Sequence, residues 1–150
     1  MCAPVQLCDG MDMDDTSESP IRLVVVDDHE DGRRQLVARL RKHPKLEVVG
    51  DAGDSREATH LTDTMHPDAI LIEMRRLDKR GLAVVAELSS RDTKNRPAIV
   101  AYLEILHRGE WTDARAAGAD DIVLKEMRPE NAARELRQIV NRVQRDALAR

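Results

Sequence analysis

The run Ile21-Arg22-Leu23-Val24-Val25-Val26 gives way at once to Asp27-Asp28-His29-Glu30, and this change from aliphatic to acidic organises the reading of the whole chain. A short, almost uninterrupted aliphatic run suits a strand buried on both faces, as in a parallel sheet. Four further runs, at 46–49, 69–72, 98–101 and 122–124, repeat the theme. Helical spacing lies between them. Leu36, Val37 and Leu40 mark one helix, ended by His43-Pro44. Ala58, Leu61 and Met65 mark a second, capped by Asp54 or Ser55 and stopped before Pro67. Leu82, Val85 and Leu88 mark a third, and a shorter fourth around 110–117 ends at Gly118. The last helix opens with Pro129 in its first turn and carries a single apolar stripe of Ala132, Leu136, Ile139, Val143 and Ala147.

Five strands alternating with five helices predict an α/β protein of one domain, with right-handed crossovers and a doubly wound five-stranded parallel sheet. Ligand sites in such sheets lie at the carboxyl ends of the strands.

Composition bounds the rest. The 150 residues are 41% hydrophobic and 35% charged, with one Trp, one Tyr and no Phe, so the core must be aliphatic. A chain of this length buries roughly 68–70% of its unfolded surface and needs no staples. No apolar run approaches the ~20 residues of a membrane span, and no basic segment precedes an apolar one at the N-terminus. A transmembrane or conventionally secreted protein is thereby excluded, and a cytoplasmic one expected. The two cysteines, Cys2 and Cys8, sit in the N-terminal tail and are expected to be free thiols; a start at Met11 or Met13 would remove both.

The net charge of −4 is unevenly spread: Asp9, Asp12, Asp14, Asp15 and Glu18 fall within residues 1–20, which hold no Lys or Arg. Residues 1–20 therefore read as an acidic disordered tail. Residues 21–147 form the domain, and 148–150 the C-terminal end. The nearly neutral domain is no polybasic nucleic-acid binder.

The strand ends collect the chemistry. Asp27, Asp28, His29, Glu30 and Asp31 follow the first strand, Glu73 the third, Tyr102 ends the fourth and Lys125 the fifth. Folded together, they bring at least three carboxylates and an ammonium into one crevice. Two carboxylates ~4 Å apart repel by about 4 kcal/mol at an effective dielectric near 20, which invites a cation. Oxygen ligands suit Mg²⁺, which keeps several waters and takes one or two carboxylates. The plainer reading, that Asp27 and Asp28 merely cap the next helix and face water, stays open from the residues alone.

Three segments carry a resemblance: Val24-Val25-Val26-Asp27-Asp28-His29, Pro67-Asp68-Ala69-Ile70-Leu71-Ile72-Glu73 and Gly118-Ala119-Asp120-Asp121-Ile122-Val123-Leu124-Lys125. In order and at the right strand ends, they resemble the receiver domain of bacterial two-component response regulators, nearest in flavour to LuxR-type regulators, over about residues 21–145. The resemblance implies a flavodoxin-like (βα)5 fold that takes a phosphoryl group from a histidine kinase. It further implies that the acidic pair binds Mg²⁺, an Asp ending strand three is phosphorylated, a Thr or Ser ends strand four and a Lys ends strand five.

Asp27, Asp28 and Lys125 match that pattern, and Glu73 would join the pair as a metal ligand; several positions depart from it. The phosphoacceptor position holds Glu73, whose carboxylate reaches about 1.5 Å further than that of Asp. Catalytic geometry tolerates only about 0.5 Å. The strand-four hydroxyl position falls on the bulky Tyr102, with Ala101 and Leu103 as alternatives. Ile122 stands at the family's switching aromatic, Glu126 follows Lys125 in place of Pro, and Leu77 replaces a Pro after strand three.

These departures lead to the expectation of a pseudo-receiver with weakened or lost Mg²⁺ binding and phosphotransfer. Its partner would be a histidine kinase or other signalling protein, reached by protein–protein contact and without catalytic turnover. The family's face of helix four, strand five and helix five commonly supports partner contacts, so a homodimer through it is one expectation. Trp111, on the fourth helix, reads equally as a contact residue or as cover for the core edge. Residues 128–150 hold six Arg against three acidic residues, read as a solvated helix face, and no DNA-binding domain is expected. Two alternatives stand beside this reading. One is a phosphorylatable receiver whose output lies in a separate protein. The other is a Mg²⁺-dependent phosphohydrolase, which Asp27-Asp28-His29-Glu30 fits poorly because such enzymes read Asp-x-Asp. Finally, Arg75, Arg76, Lys79 and Arg80 form a basic loop that is either solvated or a built-in neutraliser of the acidic crevice.

Overall fold

The computed structural model describes residues 19–74, 80–91, 96–103 and 108–149. The acidic segment 1–18 with both cysteines, and Arg75, Arg76, Leu77 and Lys79, lie outside the described residues. Strands β1 (Ile21–Val26), β2 (Leu46–Ala52), β3 (Ala69–Glu73), β4 (Ala98–Leu103) and β5 (Asp121–Leu124) alternate with helices α1 (Glu30–Arg41), α2 (Ser55–Met65), α3 (Arg80–Ser89), α4 (Arg108–Ala117) and α5 (Pro129–Leu148). All four strand pairings are parallel, in the order β2-β1-β3-β4-β5.

Because successive side chains of a strand point to opposite faces, the sheet builds two cores. Leu23, Val25, Leu71, Val100 and Val123 meet α1 and α5 through Leu36, Val37, Leu40, Leu136, Ile139 and Val140. Val24, Val26, Ile70, Ile72, Ile99 and Ala101 meet α2, α3 and α4 through Ala58, Val84, Val85, Leu88 and Ala114. Every side chain of β3 and β4 is buried, as continuous aliphatic runs require. The two outer strands correct that expectation. Glu47 and Asp51 of β2 are exposed, and in β5 only Val123 is buried, because an edge strand has a neighbour on one side alone.

Strand ends run beyond the apolar cores read from sequence: β2 continues to Ala52 and β4 to Leu103, since ladder bonds do not stop where polarity begins. Helix boundaries follow local chemistry. Asp54, rather than Ser55, caps α2 by accepting from Glu57 N at 2.9 Å, and α2 closes on His66 in the left-handed region (φ 47°). In α3 the buried residues are Val84, Val85 and Leu88, with Leu82 only partly covered. The α5 stripe holds through Val143; Ala147 is exposed because the 20-residue helix outruns the sheet beneath it.

Two contacts fix the β5 side. Arg96 donates twice to the Asp120 carboxylate at 2.8 Å, and Asp120 also accepts from Ile99 N at 2.8 Å, tying the start of β4 to the turn before β5. The hydrogen bond to Asp120 holds the Arg96 guanidinium above its ordinary pKa despite partial burial. At the end of α4, Gly118 adopts φ 118°, and a Cβ there would overlap the Ser89 side chain, whose hydroxyl donates to Ala117 O at 2.8 Å. Gly118→Ala should cost about 1–3 kcal/mol through the backbone conformation alone. The melting midpoint would fall by several degrees. Adding Ser89→Gly relieves the overlap but not the φ penalty, so the double variant should recover only part of the loss; an unchanged midpoint in Gly118→Ala would refute the assignment.

Candidate functional site: the acidic crevice at the sheet's carboxyl edge

The same two-residue period that builds the core places the site. Two residues on from Val25, Leu71, Val100 and Val123 stand Asp27, Glu73, Tyr102 and Lys125, of which Tyr102 joins the core under α1 and α5. Register completes the set: Glu73 lies opposite Tyr102, and Tyr102 opposite Val123. Ala101 and Leu103, on either side of Tyr102, belong to the core under α2, α3 and α4.

Asp27 is buried. Its Oδ1 accepts from His29 N at 2.9 Å, and its carbonyl accepts from Arg33 Nη1 at 2.8 Å, with Arg33 Nε also held by Asp51 at 2.8 Å. Asp28 Oδ2 accepts from Arg80 Nη1 at 2.8 Å. Glu73 is the second buried acidic residue among those described, with only 3% of its side chain exposed, and its Oε1 accepts from Lys125 Nζ. The Lys125 ammonium also lies 5.7 Å from the centre of the Tyr102 ring, a cation–π distance.

The structure therefore brings Asp27, Asp28, Glu73, Tyr102 and Lys125 to one edge. Asp27, Asp28 and Glu73 border a cavity of about 240 Å³, with Arg80 at its margin. Oxygen atoms of Asp27 and Asp28 and a ring nitrogen of His29 lie within 4.8 Å of one another, so the donor set fits a hard divalent cation taking one or two carboxylates and water. When bound, such a cation would neutralise the carboxylates and polarise oxygens placed beside them.

Tyr102 does something the sequence does not announce. Its ring is buried between α1 and α5, and its hydroxyl accepts from Arg39 Nη2 on α1, 63 residues away. Nothing in the run of arginines on α1 singles out Arg39. The remaining residues are placed as follows. Ile122 is partly buried against the α2/α3/α4 core. Trp111 packs on that core too, with the Arg115 guanidinium 5.6 Å from its ring centre, so covering the core edge is the role its packing supports.

Burial pushes the Tyr102 phenol above its ordinary pKa; the Arg39 guanidinium works against this, and the Glu73 carboxylate adds to it. The unfolded chain would thus lose the phenolic proton first, near the usual value of about 10. Stability associated with this group is complete below that pH and falls as pH rises toward the folded value. Because Tyr102 is the chain's one tyrosine, ultraviolet titration reads it directly. The phenolate should form above pH ~10 together with loss of structure. Titration at or below the free-tyrosine value with structure intact would contradict the burial.

A family model for the response regulator receiver domain matches residues 23–140. The nitrate/nitrite response regulator protein NarL of Escherichia coli is 27% identical over 123 residues, covering 82% of this chain and 56% of that protein. The DNA-binding transcriptional activator DevR/DosR of Mycobacterium tuberculosis is 32% identical over 119 residues, covering 79% of this chain and 54% of that protein. The chain thus spans about half the length of these curated relatives. A LuxR-family two-component response regulator from Aurantimonas sp. SI85-9A1 superposes with a TM-score of 0.64 at 25% identity, over 82% of this chain and 86% of that one. With a five-stranded sheet in the flavodoxin-like order and an acidic crevice at its carboxyl edge, the chain belongs to the response regulator receiver domain family of two-component signalling, in its LuxR-type flavour.

Proposed function

We propose that this receiver is a pseudo-receiver, which signals through protein contacts and does not accept a phosphoryl group at Glu73. The carrying observation is the Glu73–Lys125 pair: the extra methylene brings the acceptor carboxylate onto the lysine ammonium with almost no solvent contact. Phosphorylating Glu73 would turn its carboxylate into an acyl phosphate and move the negative charge onto the phosphoryl oxygens, beyond the point where Lys125 now meets it. A phosphoryl group there would need donors for three oxygens. Lys125 is already engaged by Glu73, and the Tyr102 hydroxyl by Arg39.

In this reading Asp27, Asp28 and the Glu73–Lys125 pair hold one conformation of the carboxyl edge. The partner is a signalling protein, a histidine kinase among the candidates, and the face of α4, β5 and α5 is the contact surface or homodimer interface. No enzymatic turnover is assigned to the domain. No described helix is long and apolar enough to cross a membrane. The intact positions of Asp27, Asp28 and Lys125 favour a second reading, a phosphorylatable receiver whose output lies elsewhere.

Intact-protein mass spectrometry after incubation with Mg²⁺ and acetyl phosphate separates the two. Wild type should stay unmodified. Glu73→Asp, which withdraws the carboxylate by one methylene, reports on the remaining site: gain of one phosphoryl mass would show that only the acceptor was lost. A phosphorylated wild type would overturn the pseudo-receiver reading in favour of the second.

A further inference from the structure

Helix α3 begins differently from its neighbours. The first turns of α1, α2, α4 and α5 each hold an acidic residue, which suits the positive end of a helix dipole. The first turn of α3 holds none, and its first residue is the cation Arg80. A cation at that end is unfavourable, so the arrangement calls for negative charge from elsewhere in the fold.

Asp28 supplies it. Arg80 Nη1 donates to Asp28 Oδ2 at 2.8 Å; the Asp28 side chain is 21% exposed and that of Arg80 77%. The next residue fixes the approach. A Cβ at Gly81 would come within 2.7 Å of Glu73 O and 2.9 Å of Met74 Sδ, so the start of α3 abuts the end of β3. That contact holds Arg80 at the margin of the cavity bordered by Asp27, Asp28 and Glu73.

We propose that Arg80 is an internal counter-cation that competes with a divalent cation for Asp28, so that the crevice holds one or the other. An exposed ion pair is weak when its partners meet from solution. Here the guanidinium is tethered beside its carboxylate, which corresponds to an effective concentration in the millimolar range or above. A Mg²⁺ ion held through two carboxylates and waters must displace it before Asp28 can serve as a ligand. Charge supports the exchange: removing Arg80 takes a positive charge from beside Asp28, and a divalent ion can restore it. The inference goes beyond the phosphotransfer reading, because it concerns the cation and holds whether or not Glu73 accepts a phosphoryl group.

The test is a titration of the full chain with Mn²⁺ at constant ionic strength, following free ion by electron paramagnetic resonance, alongside melting midpoints in MgCl₂. Arg80→Ala should bind Mn²⁺ at least about fivefold more tightly than wild type, and its midpoint should rise with MgCl₂ by more than that of wild type. Adding Asp28→Asn should abolish the gain. Arg80→Gln repeats the comparison should the alanine variant fold poorly. Equal behaviour of wild type and Arg80 variants, with both binding or neither, would overturn the proposal, as would a gain that survives Asp28→Asn.

Discussion

Charge balance at the carboxyl edge of the sheet is the constraint on which the site depends. Parallel strands in register bring Asp27, Asp28 and Glu73 to adjoining positions, and three carboxylates in a half-buried crevice cannot stand without cations. The chain answers from within: Lys125 meets Glu73 and Arg80 meets Asp28, while the Asp27 carboxylate accepts from its own following turn.

Glu73 and Tyr102 are best understood together. They lie opposite one another on β3 and β4. The longer carboxylate reaches Lys125, and Lys125 in turn lies against the Tyr102 ring. Tyr102 carries the line on to Arg39, so that the crevice is joined to α1 through the core under α1 and α5. The Tyr102 hydroxyl is thereby held by a helix.

Much of the fold was legible because it rests on local patterns. Aliphatic runs marked all five strands, and Gly118 and Pro129 bounded helices for reasons of backbone conformation. The readings that needed correction share a cause. The exposure of Glu47 and Asp51 follows from β2 being an edge strand, and that of Ala147 from α5 outrunning the sheet. Neither strand order nor overhang is written in the spacing of apolar residues.

The site divides along the same line. The sequence alone sufficed to put Asp27, Asp28, Glu73, Tyr102 and Lys125 at strand ends, because the alternation of strand and helix dictates which residues follow each strand. Pairing them required three dimensions. That Lys125 holds Glu73, that Arg80 rather than solvent faces Asp28, and that the Tyr102 hydroxyl turns to Arg39 are contacts between residues 52 to 63 positions apart. Such contacts are set by register, by the side of the sheet on which each side chain emerges and by where each helix packs. No local propensity encodes those choices; the folded chain makes them.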